Sequence, residues 1–348
     1  MTRLHSINER LRQERGAVAI WFALLLPVLL GFAALAVDLA RIHLVKVELQ
    51  NAADAAAMGG ARSLTDAGGT PFNWSAAADS ARAFARRNVA NGSRIQDATI
   101  ETGYWNLQSR SWSGTSGTGY VPAVRATIGI SEGQNSGPLN LLFAPILGID
   151  ESNVQASAIA VIAPAGGGTG LFPFAINKNM FDTYWDSTNN KPQVDSNNNP
   201  IELKYGMNSV YFDKDGNQYT SGTWTTFDTT PASANNVKKY LDGTLTSDVT
   251  SGMNINLESG VDDDAFHKTG DLYTNKDVPI VVVDQKIVPG GTLTVYAIGG
   301  FHIDGVDKIK GKSYISGHFI DPTIFGNLDP GNGTGTSYGA YTPPILVK

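Results

Sequence analysis

The sequence predicts an α+β chain: a long N-terminal transmembrane α-helix that continues into an extracytoplasmic α+β module, followed by a β-rich C-terminal domain. Three observations carry this reading. Residues Gly16 to Val37, GAVAIWFALLLPVLLGFAALAV, hold no charged side chain between Arg15 and Asp38. Helical periodicity then runs on beyond that stretch without a break. From Leu171 onward, short β-branched and aromatic runs alternate with Gly, Asn, Asp and Thr turns.

Twelve of the twenty residues from Val18 to Val37 are Leu, Ile, Val or Phe. As a helix they extend about 30 Å, the thickness of a bilayer's hydrocarbon core. Their side chains favour insertion by up to about −4 to −7 kcal/mol before Pro27, Gly31 and end effects reduce the gain. Pro27 is tolerated inside a membrane helix because neighbours satisfy the freed carbonyl. Ahead of the span Arg3, Arg10, Arg12 and Arg15 outweigh Glu9 and Glu14, so the N-terminus is expected to stay cytoplasmic and the remainder to cross. A cleaved secretory signal is the competing reading, since Ala34-Leu35-Ala36 has the small-x-small form of such sites. Against it, the apolar run is longer than a signal core. The stripe Leu35, Leu39, Ile42, Val45, Leu49, Ala52 and Ala56 also continues through the supposed cut at steps of three or four. One helix is therefore expected from about Gly16 to about Ala61, with an apolar seam on its water-side half. The Ala-rich portion Gln50 to Ala61 reads as a close-packing surface for a partner helix or as helix-forming filler.

The string LTDAGGTP, ending at Pro71, stops this helix. A second helix is expected from about Trp74 to Val89, with Ala77, Ala81, Phe84 and Ala85 on its apolar face and Asn91-Gly92 closing it. Strands follow near Ala98 to Trp105 and Val121 to Ile130, then a short buried helix from Leu139 to Leu147 and a strand from Val154 to Ile162. Ala163 to Gly170 contains Pro164 and four glycines and reads as a flexible linker. Beyond it, strands are expected at Ile201 to Tyr205, Ser209 to Phe212, Thr223 to Phe227, Asn254 to Glu258, Ile280 to Val283, Thr292 to Ile298 and Ser313 to Ile320. A short helix is expected at Asn235 to Leu241. The resulting division is a cytoplasmic segment 1–15, a transmembrane helix 16–37, a helix extension and proximal α+β module 38–162, a Gly-rich linker 163–170 and a β-rich distal domain 171–348.

Composition sets outer limits. The chain has no cysteine, which excludes disulfides, thiolate catalysis and Cys-based metal sites. Removing the N-terminal segment's +2 from the formal net charge of −6 leaves −8 on the portion expected to be exported, a balance that argues against nucleic-acid binding.

The stretch Arg15 to Ala61 resembles the N-terminal region of the Flp/Tad pilus-assembly family, the TadE/TadG-like proteins. The residues that carry the resemblance are Arg15-Gly16 before the apolar run, Pro27, the Val37-Asp38 exit, and Leu49-Gln50-Asn51-Ala52-Ala53-Asp54-Ala55-Ala56-Ala57. It extends more weakly to about Ala163 through Ala123 to Ile128, Leu141 to Gly148 and Val154 to Val161, in the TadG-like order of strand, apolar helix and strand. Pro279 to Asp284 and Thr292 to Phe301 are similar, at low specificity, to C-terminal strands of such chains. The resemblance implies an inner-membrane component of the machinery that builds Tad-type pili, exposed outside the cytoplasm. Its partners would be other Tad pilus-assembly proteins or pilins, met through the N-terminal helix, and the lipid bilayer. Two departures stand out. The Asp-x-Ser-x-Ser metal motif of some TadG-like proteins is not matched by Asp150-Glu151-Ser152-Asn153-Val154. The fifth residue after Gly16 is Trp21 rather than Glu, so prepilin-peptidase processing is not expected.

Candidate sites each have a plainer counterpart. Asp213-Lys214-Asp215-Gly216-Asn217 offers alternate carboxylates for calcium, but its glycine sits at the wrong place for an EF-hand, and a hairpin turn explains it. Asp262-Asp263-Asp264 reads as a solvated acidic loop. His302, Asp304 and His318 suit a metal only if the fold brings them together; structural histidines explain them otherwise. The glycine loop 163–170 lacks a following Lys-Ser/Thr and a third Rossmann glycine, so nucleotide binding is not supported. No Gly-x-Ser-x-Gly elbow occurs. Trp185, Tyr184, Trp224 and Tyr219 suggest a surface for glycan or partner stacking, set against ordinary core packing. No catalytic, cofactor-binding or metal-binding residue is assigned. The function expected is a non-enzymatic structural part of pilus assembly; the alternative is an exported adhesin or glycan-binding module in 171–348.

Overall fold

The computed structural model describes residues 3–68, 71–206, 210–212, 218–258, 263–309, 311–330 and 337–348. The chain is α+β, a long apolar N-terminal helix followed by a β-rich region with short helices. It forms two compact units, Met1–Ala55 with Ala83–Thr99 and Ala126–Ser157, and Ala56–Arg82 with Ile100–Arg125 and Ala158–Lys348.

Helix α1 runs unbroken from Arg3 to Arg62 with Pro27 inside it. Within the first unit its burial begins at Asp38 and continues through Val45, Leu49, Ala52 and Ala53. These positions recur at about two turns and then one, so a single face of the helix is covered. Leu35 and Leu39, expected on that stripe, are exposed: the buried line is displaced to Asp38, because the carboxylate and not a leucine is what the neighbouring loop needs. That loop corrects a second expectation. Leu139–Asn140 is a short strand paired with Glu151–Ser152, and only Ala144–Leu147 is helical, as a 3₁₀ turn. Buried Asn135 organises the adjoining backbone. Its Oδ1 accepts the Gln96 and Asp97 N–H groups at 2.7 and 2.8 Å, and its Nδ2 donates to the Asp97 and Gly129 carbonyls.

In the second unit the end of α1 meets helix α2, Trp74–Ala85, which stops at Ala85 rather than near Val89. Small residues make the approach possible. A Cβ added at Gly60 would lie 2.9 Å from the Ala77 carbonyl, the Ala81 Cβ and a Val124 methyl, and Ser80 donates to the Gly59 carbonyl at 3.2 Å. Strands β1 (Thr99–Asn106), β2 (Ser111–Ser113), β3 (Tyr120–Ile130) and β4 (Val154–Val161) form a sheet of order β4-β3-β1-β2, with the terminal strand Ile345–Leu346 added on β4. There Ile345 faces Val161 and Thr342 accepts the Ala163 N–H, so the chain's last residues complete a sheet begun far earlier. Glu101 holds the Arg125 guanidinium in a bidentate pair, and that guanidinium lies 4.7 Å over the Trp112 ring.

A second sheet contains β5 (Phe172–Asn177), β6 (Leu203–Gly206), β7 (Gly222–Trp224), β8 (Lys276–Val283), β9 (Ala297–Ile309) and β10 (Lys312–Phe319), in the order β6-β10-β9-β8-β5-β7. Only β5 and β8 are parallel neighbours. Helix α3 (Lys178–Tyr184), which no sequence signal had marked, follows β5 directly and is capped by the Asn177 side chain accepting the Asn179 N–H at 3.0 Å. Helices α4 (Ala234–Leu241) and α5 (Asp263–Tyr273) are tied by Lys268–Asp242 at 2.5 Å and Lys238–Asp264 at 3.3 Å. The expected acidic loop at 262–264 is therefore corrected: Asp263 and Asp264 open α5, where carboxylates favour the positive end of the helix dipole.

Both faces of the central strands β5 and β8 are covered. Phe172, Phe174, Val278, Ile280 and Val282 face one cluster with Met180, Phe181, Ala265 and Phe266, while Ala175, Val281 and Val283 face another with Val249, Ile255, Leu257 and Leu293. This is why Ile280 to Val283 reads as an unbroken apolar run and not an alternation. The Gly-rich stretch 163–170 is likewise structured: Gly167–Thr169 is a strand between Asp248–Thr250 and Leu328–Asp329. The expectation of a free linker there is overturned, because glycine permits the close approach of these two backbones.

Gly60→Val is expected to force α1 and α2 apart and cost about 1–3 kcal/mol, as overpacking does. Gly31→Val, on the same helix with no neighbour within 4 Å, supplies the control for helix propensity. Thermal unfolding of the detergent-solubilised chain should fall for the first variant only.

Candidate membrane anchor and clamp site

From Ile20 to Val37 nearly every side chain of α1 is exposed, and the helix carries a window of mean hydropathy 2.5 with none of it buried inside the protein. A helix apolar all round and uncovered by its own chain needs an apolar medium. This is the one helix among the described residues that is long and apolar enough to cross a membrane.

Where that stretch ends, Asp38 is 3% exposed. Its Oδ1 accepts the Leu142 N–H at 2.7 Å, and its Oδ2 accepts those of Phe143 at 2.8 Å and Ala144 at 2.7 Å. These are donors that the 3₁₀ turn Ala144–Leu147 leaves without a local cap, since Phe143 at its N-cap has no side-chain acceptor. Desolvation raises the Asp38 pKa, but the three backbone donors and the charge of Arg41 together outweigh it and hold the carboxyl below its ordinary 3.8. Arg41, one turn on, donates to the Asn140 carbonyl at 3.0 Å and so grips the other side of the same loop.

Further along, Glu48 accepts the Asn91 N–H at 2.8 Å, an arrangement that uses the left-handed Asn91 (φ 49°). Gln50 donates to Asp54 at 2.7 Å and reaches the Ser157 carbonyl at 3.4 Å. The water-side seam is thus occupied: Val45, Leu49, Ala52 and Ala56 are buried by the chain itself. Leu39, Leu44 and Val47 remain exposed on the rest of the helix surface.

The remaining sequence candidates fall as follows. His302 and His318 face each other across β9 and β10 with rings 4.8 Å apart. Asp277 takes His302 Nδ1 at 2.7 Å, and Asp304 lies 3.3 Å from His318 Nδ1 and 3.8 Å from His302 Nε2. The fold does bring His302, Asp304 and His318 together, with Asp277 added by strand pairing. The carboxylates are directed at ring nitrogens, and among the described residues no group of three or more such side chains is arranged to hold a metal ion. Trp185 and Trp224 are in the core beside Phe181, Phe174 and Phe266, with Tyr184 packed against the same cluster. Of the two readings the sequence offered, core packing holds for these three, since the six-stranded sheet needs large apolar fillers beneath its helices. The stretch Asp213 to Asn217 lies outside the described residues, as does Asp262; the strands that flank the former, Val210–Phe212 and Gln218–Thr220, pair antiparallel.

Sequence reasoning noted Asp38 only as marking the exit from the apolar run. The signal that identifies its role is its phase: it precedes Val45 by two helical turns and so belongs to the buried line.

Residues 16–63 match a family described as putative Flp pilus-assembly TadE/G-like, and residues 59–160 match one described as putative Tad-like Flp pilus-assembly. Both Asp38 and the loop it holds fall inside these matches. No curated protein and no solved structure matches the chain.

Asp38→Ala should leave three loop N–H groups without their acceptor and make residues 142–149 the earliest site of limited proteolysis, with Asp38→Asn intermediate. Because the folded carboxyl titrates below its unfolded value of 3.8, the clamp stabilises the loop at neutral pH. That contribution is lost as pH falls below this range, and the wild-type cleavage pattern should then approach that of Asp38→Ala.

Proposed function

We propose, from the premise that residues 16–63 match a TadE/G-like and residues 59–160 a Tad-like Flp pilus-assembly family, that this chain is a non-enzymatic structural component of Tad-type pilus assembly. Helix α1 anchors it in the bacterial inner membrane. Its N-terminus is cytoplasmic and its bulk is periplasmic or extracellular, the orientation favoured by Arg3, Arg10, Arg12 and Arg15 ahead of the span. It acts by packing against helices of other pilus components. The observation that supports this most directly is that α1 leaves the apolar stretch as a single rigid helix and still presents Leu39, Leu44 and Val47 uncovered. Large apolar side chains exposed on a helix just beyond a membrane span suit a second helix.

The division of labour along α1 differs from a single partner-binding seam. Val45, Leu49, Ala52 and Ala56 support the protein's own fold, and the partner face is assigned to the side that carries Leu39, Leu44 and Val47. The alternative, an adhesin or glycan-binding module in 171–348, drew on surface aromatics; with Trp185 and Trp224 in the core it has less support than assembly.

The full chain should sediment with membranes and resist carbonate extraction. Photo-cross-linkers at Leu39, Leu44 and Val47 in intact cells should capture another Tad pilus-assembly protein or pilin. A cross-linker at the buried Leu49 should give only intramolecular product. Adducts at Leu49 and none at the three exposed positions would contradict the assigned face.

A further inference from the structure

We infer that the loop from Leu142 to Ile149 lies in the interfacial layer of the membrane that α1 spans, as a second, shallow point of lipid contact. The inference rests on the anchor reading given above. Its first support is exposure: Leu142, Phe143, Ile146, Leu147 and Ile149 are all uncovered, Ile146 by 83%. No charged residue occurs between Leu139 and Ile149. A contiguous exposed apolar group of this kind marks a contact surface.

The second support is position. Asp38 is the first residue past the charge-free span, and its carboxylate holds the N–H groups of Leu142, Phe143 and Ala144 directly. The headgroup layer on each side of a bilayer is about 5–7 Å deep, several times the 1.5 Å rise from one helical residue to the next. A loop bonded to residue 38 therefore sits within that layer if the span ends at Val37. Val37, immediately before Asp38, is itself exposed, so apolar helix surface is present at the level of the loop.

The third support is backbone accounting. Leu141 donates to the Asp150 carbonyl, Leu142, Phe143 and Ala144 to Asp38, Ile146 to Phe143, Gly148 to Pro145 and Ile149 to Ala144. Pro145 has no N–H to satisfy. Donors closed in this way let the loop enter a medium poor in hydrogen-bond partners. What favours lipid over a protein partner is the loop's attachment to Asp38, the first residue past the charge-free span. The occupant is accordingly the boundary between headgroups and acyl chains.

The chain has no cysteine, so single introduced cysteines report single positions. Ile146→Cys, Leu30→Cys and Ser196→Cys would each be labelled with an environment-sensitive fluorophore in the full-length protein. Each would then be reconstituted into vesicles of phosphatidylethanolamine and phosphatidylglycerol. Ser196 is an exposed solvent control, and the high exposure of Ile146 makes its replacement harmless to packing. The expected result is a blue-shifted Ile146 label that loses iodide quenching and is quenched more by a nitroxide near the headgroups than by one at the bilayer centre, with the reverse depth order for Leu30. If the Ile146 label behaves like Ser196 while Leu30 is in lipid, the inference is overturned and the anchor stands. A Leu30 label open to iodide overturns both. An Ile146 label shielded from iodide and from both nitroxides is covered by protein, and that too overturns it.

Discussion

A carboxylate that follows directly on an apolar helix has to be hydrated or fully hydrogen-bonded, and in this chain it is bonded. Asp38 is buried under the three N–H groups that it caps, and everything on the water side of the first unit is phased from that point. Charge-assisted bonds to backbone donors are about twice as strong as neutral ones, which lets a single side chain fix a loop more than a hundred residues away in sequence. Arg41, one turn further on, adds a second contact to the same loop by donating to the Asn140 carbonyl.

The helix thereby carries two kinds of apolar surface with different duties. Before Asp38 the side chains of Ile20 to Val37 are left uncovered by the chain and form a stretch long and apolar enough to cross a membrane. Above it, Val45, Leu49 and Ala52 are covered by the chain's own loops and strands, while Leu39, Leu44 and Val47 are not. Internal packing therefore occupies one side of the helix and leaves the opposite side uncovered. The 3₁₀ turn Ala144–Leu147 belongs to both: its backbone is held by the helix and its side chains are turned outward.

In the second unit the organising constraint is that the central strands β5 and β8 have no wet face. With β8 contributing side chains alternately to two clusters, helices α3 and α5 fill one side and the segments around Ile255, Leu257 and Leu293 fill the other. Covering both faces demands bulky apolar residues in otherwise polar surroundings, which is where Trp185 and Trp224 are used. It also demands gaps at Gly299, where a Cβ would strike the Phe181 ring. The histidine and aspartate row across β8, β9 and β10 then follows from register: Asp277 opposite His302, and His302 opposite His318.

The amino-acid sequence by itself determined the long apolar helix, the continuity of α1, most strand positions and the likeness of residues 16–160 to pilus-assembly families. These depend on local periods and on a charge-free run, which need no knowledge of neighbours. It could not reveal that Asp38 displaces Leu35 and Leu39 from the buried line, that Leu139 to Leu147 is a short strand and a 3₁₀ turn held by the buried Asp38 and not a buried helix, or that Gly167 to Thr169 is a central strand. Each of these turns on which distant backbone donors or strands arrive at the residue. The same holds for α3, short enough that its existence rests on the Asn177 cap and on Phe181 finding a core. Hydrophobicity tells a residue to leave water, but only the tertiary structure decides whether protein or lipid receives it.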